Sequence, residues 1–391
     1  MRTAIHLRPD REYPVRSGHP WIFSGAIRDL DPSLPPGTEV DILSAAGELL
    51  GRGYANPKCS IAVRVLTRKD EPIDADFLRR RVESALVWRR KCVDPATNAF
   101  RLICGEGDGL PGIITDVYAD TAVVQVLTAG ADRLKPWLFE ALHTCLPLRT
   151  IYERSGGAVR REEGLPAVDA VAWGEPPAER VEIRERGHRF LVDVRHGQKT
   201  GFFLDQRPNR QLVERMASGA RVLNAFGYTG SFAVCAAAGG AKEIVSVETS
   251  AAALRIAADN WALNDLPPDA LRACGEDVFT FLRRTDETFD LVILDPPALV
   301  KRRGDVNQGS RAYKDLNLQG FRRAAAGAVV MTFTCSQHVG ADLFRKIVHS
   351  AAVDAQRSAQ VIATLGPGPD HPTSLAHPEG EYLHGLLLRI D

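Results

Sequence analysis

Residues 222–248 read VLNAFGYTGSFAVCAAAGGAKEIVSVE. A short apolar strand over Arg221–Leu223 runs into a turn punctuated by Gly227 and Gly230. An alanine-rich helix follows, and a second strand, Glu243–Val247, closes on the acid Glu248. That order predicts a βαβ unit. Its first turn lets a ligand approach the backbone closely, and the acid at the end of the second strand can accept from ribose hydroxyls. The glycines are not spaced G-x-G-x-x-G, which argues against a dinucleotide.

The same alternation continues to either side. FLVDV (190–194), RVLNAF (221–226), EIVSVE (243–248), LVILD (291–295), AVVMTFT (328–334) and YLHGLLLRI (382–390) read as strands separated by helices. Strands alternating with helices imply a parallel sheet covered on both faces, an α/β domain of Rossmann-like type over residues 181–391. LVILD ends on Asp295-Pro296-Pro297, and AVVMTFT runs into Thr334-Cys335-Ser336. An FGYTG turn, the acid at Glu248 and a DPP downstream suit S-adenosylmethionine (SAM) as the ligand, so a methyltransferase is expected.

Upstream, residues 1–70 hold short strands separated by turn signals: WIFSGAI (21–27), TEVDIL (38–43), LLGRGYA (49–55) and IAVRVLT (61–67), a small β-barrel-like module. From Asp74, a plausible N-cap, Phe77, Leu78, Val82, Ala85, Leu86 and Trp88 recur at helical spacing, predicting a helix to Lys91 that links two domains. The span 71–180 takes in that helix and a small middle module. Two of its strands lie in GLPGIITDVYADTAVVQVLT (109–128), a helix over Leu134–Thr144 and another strand in RTIYERS (149–155).

The chain has 391 residues, enough for two or three domains, and Lys plus Arg equals Asp plus Glu at 49 each. No global excess of positive charge advertises nucleic acid, although phosphate affinity depends on local clusters. The seven cysteines form no C-x-x-C pair and their number is odd, which argues against a zinc site and a secreted disulfide framework. The N-terminus has no apolar signal region, and no apolar run approaches the ~20 residues of a membrane span. A cytoplasmic protein without metal or membrane attachment is expected.

The strand ends carry the chemistry. Asn224, Phe226, Gly227 and Gly230 occupy the turn where an open α/β sheet binds its ligand. Asp277, in GEDVFTFL, can accept from an adenine amino group or simply cap the helix that follows. Asp295, at the tip of a central strand, can hydrogen-bond a substrate base, with Pro296 and Pro297 locking a donor-poor turn beside it. Ala298 stands where adenine N6-methyltransferases carry a stacking aromatic. Cys335 has two readings, a packed thiol or a nucleophile. Cytosine C5 cannot take a methyl group unaided, and a thiolate adding to C6 makes it enamine-like. GQKTGFFLDQRPNR (197–210) places Lys199, Asp205, Gln206 and Arg207 before the cofactor unit, to close over a methionine moiety, grip phosphate or form a helix-capping network.

For nucleic acid, the local basic clusters are Arg79-Arg80-Arg81 with Arg89-Arg90-Lys91, Arg160-Arg161, and Lys301-Arg302-Arg303 beyond DPP. The last is best placed for the sugar-phosphate flanking a target base. The first reads more readily as the solvated face of the linking helix.

Taken in order, these motifs resemble a known family. HPWIFSGAI (19–27) with GRGYANPKCSIAVRVL (51–66) resembles an N-terminal PUA domain. GEGDGLPGIITDVYAD (105–120) and IYERSGGAVRREEGL (151–165) resemble the middle domain of the bacterial 23S rRNA C5-cytosine methyltransferases. KTGFFLDQRPNR (199–210), NAFGYTGSFAVCAAAGGA (224–241), DPP and TCS are similar to that family's catalytic domain. The resemblance implies a PUA domain, a small α/β middle domain and a Rossmann-like class I SAM methyltransferase domain acting on 23S rRNA. It implies Cys335 as the attacking nucleophile and Asp295 on the cytosine ring. Glu248 would hold the ribose and Asp277 the adenine, with Phe226, Gly227 and Gly230 lining the cofactor. Similar proteins often carry an aromatic two residues after DPP, where this chain has Leu299. The reading leaves room for a homodimer. Two rivals remain: methylation of another RNA atom with Cys335 structural, and a SAM-binding ribosome-assembly factor.

Overall fold

The computed structural model describes residues 3–391. The chain forms two compact units. One runs to Arg186 and includes Val192–Leu204 and Pro369–Gly380; the other comprises Gly187–Leu191, Asp205–Gly368 and Glu381–Asp391.

The first unit holds two five-stranded sheets. Strands β1 (Thr3–His6), β2 (Trp21–Phe23), β3 (Thr38–Leu43), β4 (Leu49–Ala55) and β5 (Ile61–Thr67), with the one-turn helix α1 (Tyr13–Arg16), pair in the order β1-β3-β4-β5-β2. Ile5, Ile22, Val40, Ile42 and Val63 fill their core. WIFSGAI is a strand only to Phe23; Ser24–Ala26 turn into a 3-10 helix. Helix α2 (Ala75–Cys92) follows, capped by Asp74, whose carboxylate accepts from the Phe77 amide. Then come β6 (Ala99–Cys104), β7 (Ile113–Tyr118), β8 (Thr121–Val126), α3 (Ala129–Cys145), β9 (Thr150–Ser155), α4 (Gly157–Glu162), β10 (Val168–Gly174) and β11 (Val181–Glu185). The second sheet has the order β10-β9-β8-β7-β6. Tyr54 of β4 ties the two modules together. Its hydroxyl donates to Pro111 O at 2.6 Å, and its ring sits so close to Gly130 that a Cβ there would lie 1.8 Å from it.

Three further expectations for this unit are corrected. Trp88 does not share the buried face of α2: it is 46% exposed, and its indole N–H reaches Pro369 O. Arg89, read within a surface basic cluster, is 1% exposed and pairs with Asp108 at 2.5 Å. Arg160 is likewise interior, donating to Val126 O, Pro166 O and Asp132. In both cases the basic residue next in the chain is the exposed one, Arg90 and Arg161.

The second unit contains β12 (His188–Val192) as far as Leu191, α5 (Arg207–Met216), β13 (Arg221–Ala225), α6 (Ser231–Ala238), β14 (Glu243–Val247) and α7 (Ala251–Leu263). It continues with β15 (Leu271–Cys274), α8 (Val278–Arg284), β16 (Phe289–Leu294), α9 (Val306–Arg323), β17 (Ala324–Thr334), α10 (Ala341–Asp354), β18 (Ala359–Leu365) and β19 (His384–Ile390). Its seven-stranded sheet has the order β15-β14-β13-β16-β17-β19-β18. β19 is antiparallel to both neighbours, and the other adjacent pairs from β15 to β17 are parallel. Leu223, Val245, Val292, Leu294 and Val330 are fully buried in its core, as two-sided burial of a parallel sheet requires. The strand order reverses between β13 and β16. Loops leaving these two strand tips therefore run to opposite sides, and such a switch point is the position where open α/β sheets bind ligands.

Candidate active site

The turn after β13 is strained in a way that few sequences tolerate. Phe226 and Tyr228 hold φ of 62° and 44°, and Gly230 holds 78°. Left-handed non-glycine residues cost roughly 1–3 kcal/mol each and persist where the surrounding structure demands them. Here the demand is visible: the Gly227 amide donates to Val247 O at 2.9 Å, clamping the turn onto β14. A Cβ on Gly227 would lie 2.3 Å from Ser246 Oγ, and Asn224, beneath it, donates its amide to the same hydroxyl. Phe226 packs edge-on against Phe279 at 6.3 Å.

Glu248 crowns β14. One carboxylate oxygen accepts from the Tyr228 amide at 3.0 Å and the other from the Ser250 amide at 2.8 Å. The carboxylate is thereby aimed; the oxygen facing Ser250 also accepts from the Thr249 hydroxyl at 3.3 Å, and the oxygen facing Tyr228 has a further lone pair for a ligand hydroxyl. A ribose diol is the ligand chemistry that such a carboxylate fits, so the donor set suits SAM. Asp277 is the N-cap of α8, with Oδ1 accepting from the amide and hydroxyl of Thr280. The capping reading is therefore realised; both bonds fall on one oxygen of an exposed side chain.

Asp295 and Cys335 are brought together. Asp295 ends β16 and Cys335 follows β17, its parallel neighbour. The Cys335 thiol points at the carbonyl of Pro296, with Sγ 3.8 Å from the oxygen, and is half-buried. Asp295 Oδ1 accepts from Gln206 Nε2 at 3.0 Å. Gln206 is itself fixed, since its Oε1 accepts from Asn209 Nδ2 at 2.6 Å, and Asn209 also donates to Gly366 O at 3.1 Å. Asp205 is buried beside them and accepts from the Tyr382 hydroxyl at 2.7 Å. Arg207 is buried too, whereas Lys301, Arg302 and Arg303 stand exposed just past DPP. Pro297 is exposed and Pro296 buried. Lys199 lies in the first unit, its ammonium 4.6 Å from the centre of the Phe203 ring.

Burial pushes the thiols of Cys59 and Cys104 up to about 11, and it also raises those of Cys145 and Cys274. No group of three or more His, Cys, Asp or Glu that could hold a metal occurs among the described residues. Nor is any helix among them long and apolar enough to cross a membrane. Gln206, Asn209 and Tyr313 hold the site yet were not singled out for these roles from sequence. The one available signal was polar residues recurring on the buried faces of α5 and α9.

Known proteins resemble this chain along its whole length. Residues 162–354 match the family model of S-adenosylmethionine-dependent methyltransferases, and residues 5–68 match a PUA-like domain. The chain is 41% identical to the ribosomal RNA large subunit methyltransferase I of Alteromonas mediterranea, over 100% of this chain and 99% of that protein. It is 42% identical to the protein of the same name from Shewanella denitrificans, with 100% of both covered. Among solved structures, a Streptococcus mutans protein described as a SAM-dependent methyltransferase superposes with a TM-score of 0.85. It is 22% identical and covers 99% of this chain and 100% of its own. A structure described as a methyltransferase complexed with SAH superposes at 0.84, with 22% identity and full coverage of both chains.

Proposed function

The chain belongs to the ribosomal RNA large subunit methyltransferase I family of SAM-dependent methyltransferases, and we propose that it methylates C5 of a cytosine in 23S rRNA through a cysteine adduct at C6. The observation that carries this reading is the half-buried Cys335 thiol against the Pro296 carbonyl, one residue past Asp295. A methyltransferase acting on an oxygen or an amino nitrogen has no need for a thiol there.

Glu248, bound by two backbone amides, holds the ribose of SAM, and the Gly227–Gly230 turn and Asp277 border it. SAM, when bound, supplies an electrophilic methyl group. The target base is flipped from its stack into the site. Cys335, as thiolate, adds to C6: an S–C6 bond forms, and as the ring electrons move onto N3 the carboxyl of Asp295, in its acid form, gives N3 a proton. C5 is then enamine-like and nucleophilic. As C5 is methylated N3 returns its proton to Asp295; the C5 proton then passes to a base, the S–C6 bond breaks, and the thiolate is regenerated. Gln206 keeps Asp295 in place throughout by donating to Oδ1. Pro296 and Pro297 bear on the base beside it. Lys301 and Arg302, exposed beyond the turn, meet the flanking phosphates, and buried Arg207 and Asp205 shape the pocket from behind. The PUA-like module adds contact to rRNA in this reading.

The test is Cys335→Ala incubated with unmodified rRNA and methyl-labelled SAM. Incorporation is expected to vanish; undiminished incorporation would show that the thiol is not the nucleophile. An assembly factor that merely binds SAM would be revealed by wild-type protein that binds the cofactor but turns over no rRNA.

A further inference from the structure

Thr334 and Ser336 flank Cys335, and neither hydroxyl faces outward. Both are buried and both meet the hydroxyl of Tyr313, itself 0% exposed, on α9. Thr334 Oγ1 donates to Tyr313 Oη at 2.9 Å, and Tyr313 Oη lies 2.8 Å from Ser336 Oγ. The same cluster reaches the loop that carries DPP. The Leu299 amide donates to Tyr313 Oη at 3.4 Å, and the Val300 amide donates to Ser336 Oγ at 3.1 Å. The Ser336 amide closes the circuit on Thr334 Oγ1 at 3.2 Å.

Proton counting fixes the direction of the central bond. A phenol has two lone pairs and one proton. Thr334 and Leu299 fill the lone pairs of Tyr313, so its proton goes to Ser336. Burial raises the Tyr313 phenol above its ordinary range, so it stays protonated and able to donate at neutral pH. The approach of α9 is itself built in. Gly309, one helical turn before Tyr313, sits so close to the loop that a Cβ would lie 2.2 Å from Val300 Cγ2 and 2.8 Å from Leu299 O. Gly320, further along α9, would likewise put a Cβ 2.7 Å from Leu294 Cδ1 of β16. A helix with a bulkier residue at these points would hold the tyrosine too far away.

We infer that Tyr313 is a positioning residue for the thiol, joining the residues on either side of Cys335 to the loop after Asp295 through one buried hydroxyl cluster. The threonine and serine of the TCS motif are then parts of this clamp. This rests on Cys335 being the nucleophile. One side chain sets the distance between the attacking sulfur and the turn that holds the base, and a reacting group displaced by 1 Å loses about 100-fold in rate.

Tyr313→Phe removes the hydroxyl and keeps the ring, which packs edge-on against Phe344 at 5.8 Å. The measurement is the rate at which the full-length enzyme with SAM forms a covalent complex on rRNA containing 5-fluorocytidine, whose C5 fluorine prevents release. The rate should fall roughly 10–100-fold, with the dissociation constant for SAM and the KM for RNA within about twofold of wild type. Ser336→Ala should give a similar loss, and the double variant should lose no more than Tyr313→Phe alone, as members of one network do. Should Tyr313→Phe fold poorly, Ser336→Ala and Thr334→Val, which delete the other two hydroxyls, carry the same prediction. Wild-type rates in these variants would overturn the inference. So would a parallel loss of SAM affinity, which marks general collapse of the site. Failure of the wild-type enzyme to form any complex would instead overturn the nucleophile reading, and the inference with it.

Discussion

Both units bury charged groups, but the hydroxyl cluster around Cys335 in the second unit differs in kind from the ion pairs of the first. In the first unit the interior is stitched by charges. Arg89 binds Asp108, Arg101 binds Asp116, Arg64 binds Glu163, and Arg160 binds Asp132 and two carbonyls. In the second unit, neutral groups are prominent around Cys335 and Asp295, Tyr313, Thr334 and Ser336 on one side and Gln206 and Asn209 on the other, although Asp205, Arg207 and Arg210 are buried in that unit as well. A buried ion pair must stay closed, because opening it strands a charge in low dielectric; it suits a scaffold. Neutral hydroxyls and amides carry directional protons at lower desolvation cost.

The contrast can be broken at either end. Asp295→Asn keeps the shape and the Gln206 contact but removes the proton that the carboxyl gives to the base. It should lower kcat roughly 100- to 10,000-fold, in the range of a lost acid–base group, with SAM affinity intact by calorimetry. A loss seen only in KM would move Asp295 from chemistry to binding. On the scaffold side, Arg89→Met strands the Asp108 carboxylate and should cost roughly 3–5 kcal/mol in denaturant unfolding, with kcat per folded molecule unchanged. A stability cost below the error of the measurement would mean that the pair is replaceable.

Smaller effects sharpen the comparison. Glu248→Gln exchanges an acceptor-only group for one that must turn a donor toward an amide or a hydroxyl. SAM affinity should fall by about 1.5–3 kcal/mol, the worth of hydrogen bonds to a charged group, and kcat at saturating SAM should change little. Lys301→Ala with Arg302→Ala touches only exposed charge. Binding of single-stranded rRNA fragments should weaken modestly, and the salt dependence should drop by roughly 0.7 in log–log slope for each phosphate contact removed. An unchanged slope would place the RNA elsewhere.

How much of this was legible in the sequence follows the same division. The cofactor turn could be read because its parts are local: Gly227, Gly230 and Glu248 lie within one βαβ unit. Asp295 and Cys335 were legible because each terminates an apolar strand. Tyr313 was not, since its partners lie 14 to 23 residues away and a tyrosine on an amphipathic helix looks like core. The Asn209–Gly366 bond spans 157 residues and leaves no local trace. Arg89 and Arg160 misled for a related reason. Adjacent arginines suggest a solvated or nucleic-acid-binding face, and only the fold reveals that one of each run turns inward onto an acid. Strand β18 went unread because its AQVIATL run is short and largely exposed.

The central claim is that the thiol of Cys335 makes C5 of a cytosine reactive, and the product nucleoside decides it. Unmodified 23S rRNA methylated by the purified enzyme, digested to nucleosides and resolved by mass spectrometry, should yield 5-methylcytidine as the new species. A methyl group on a ring nitrogen, an exocyclic amine, a ribose oxygen or another base would contradict it.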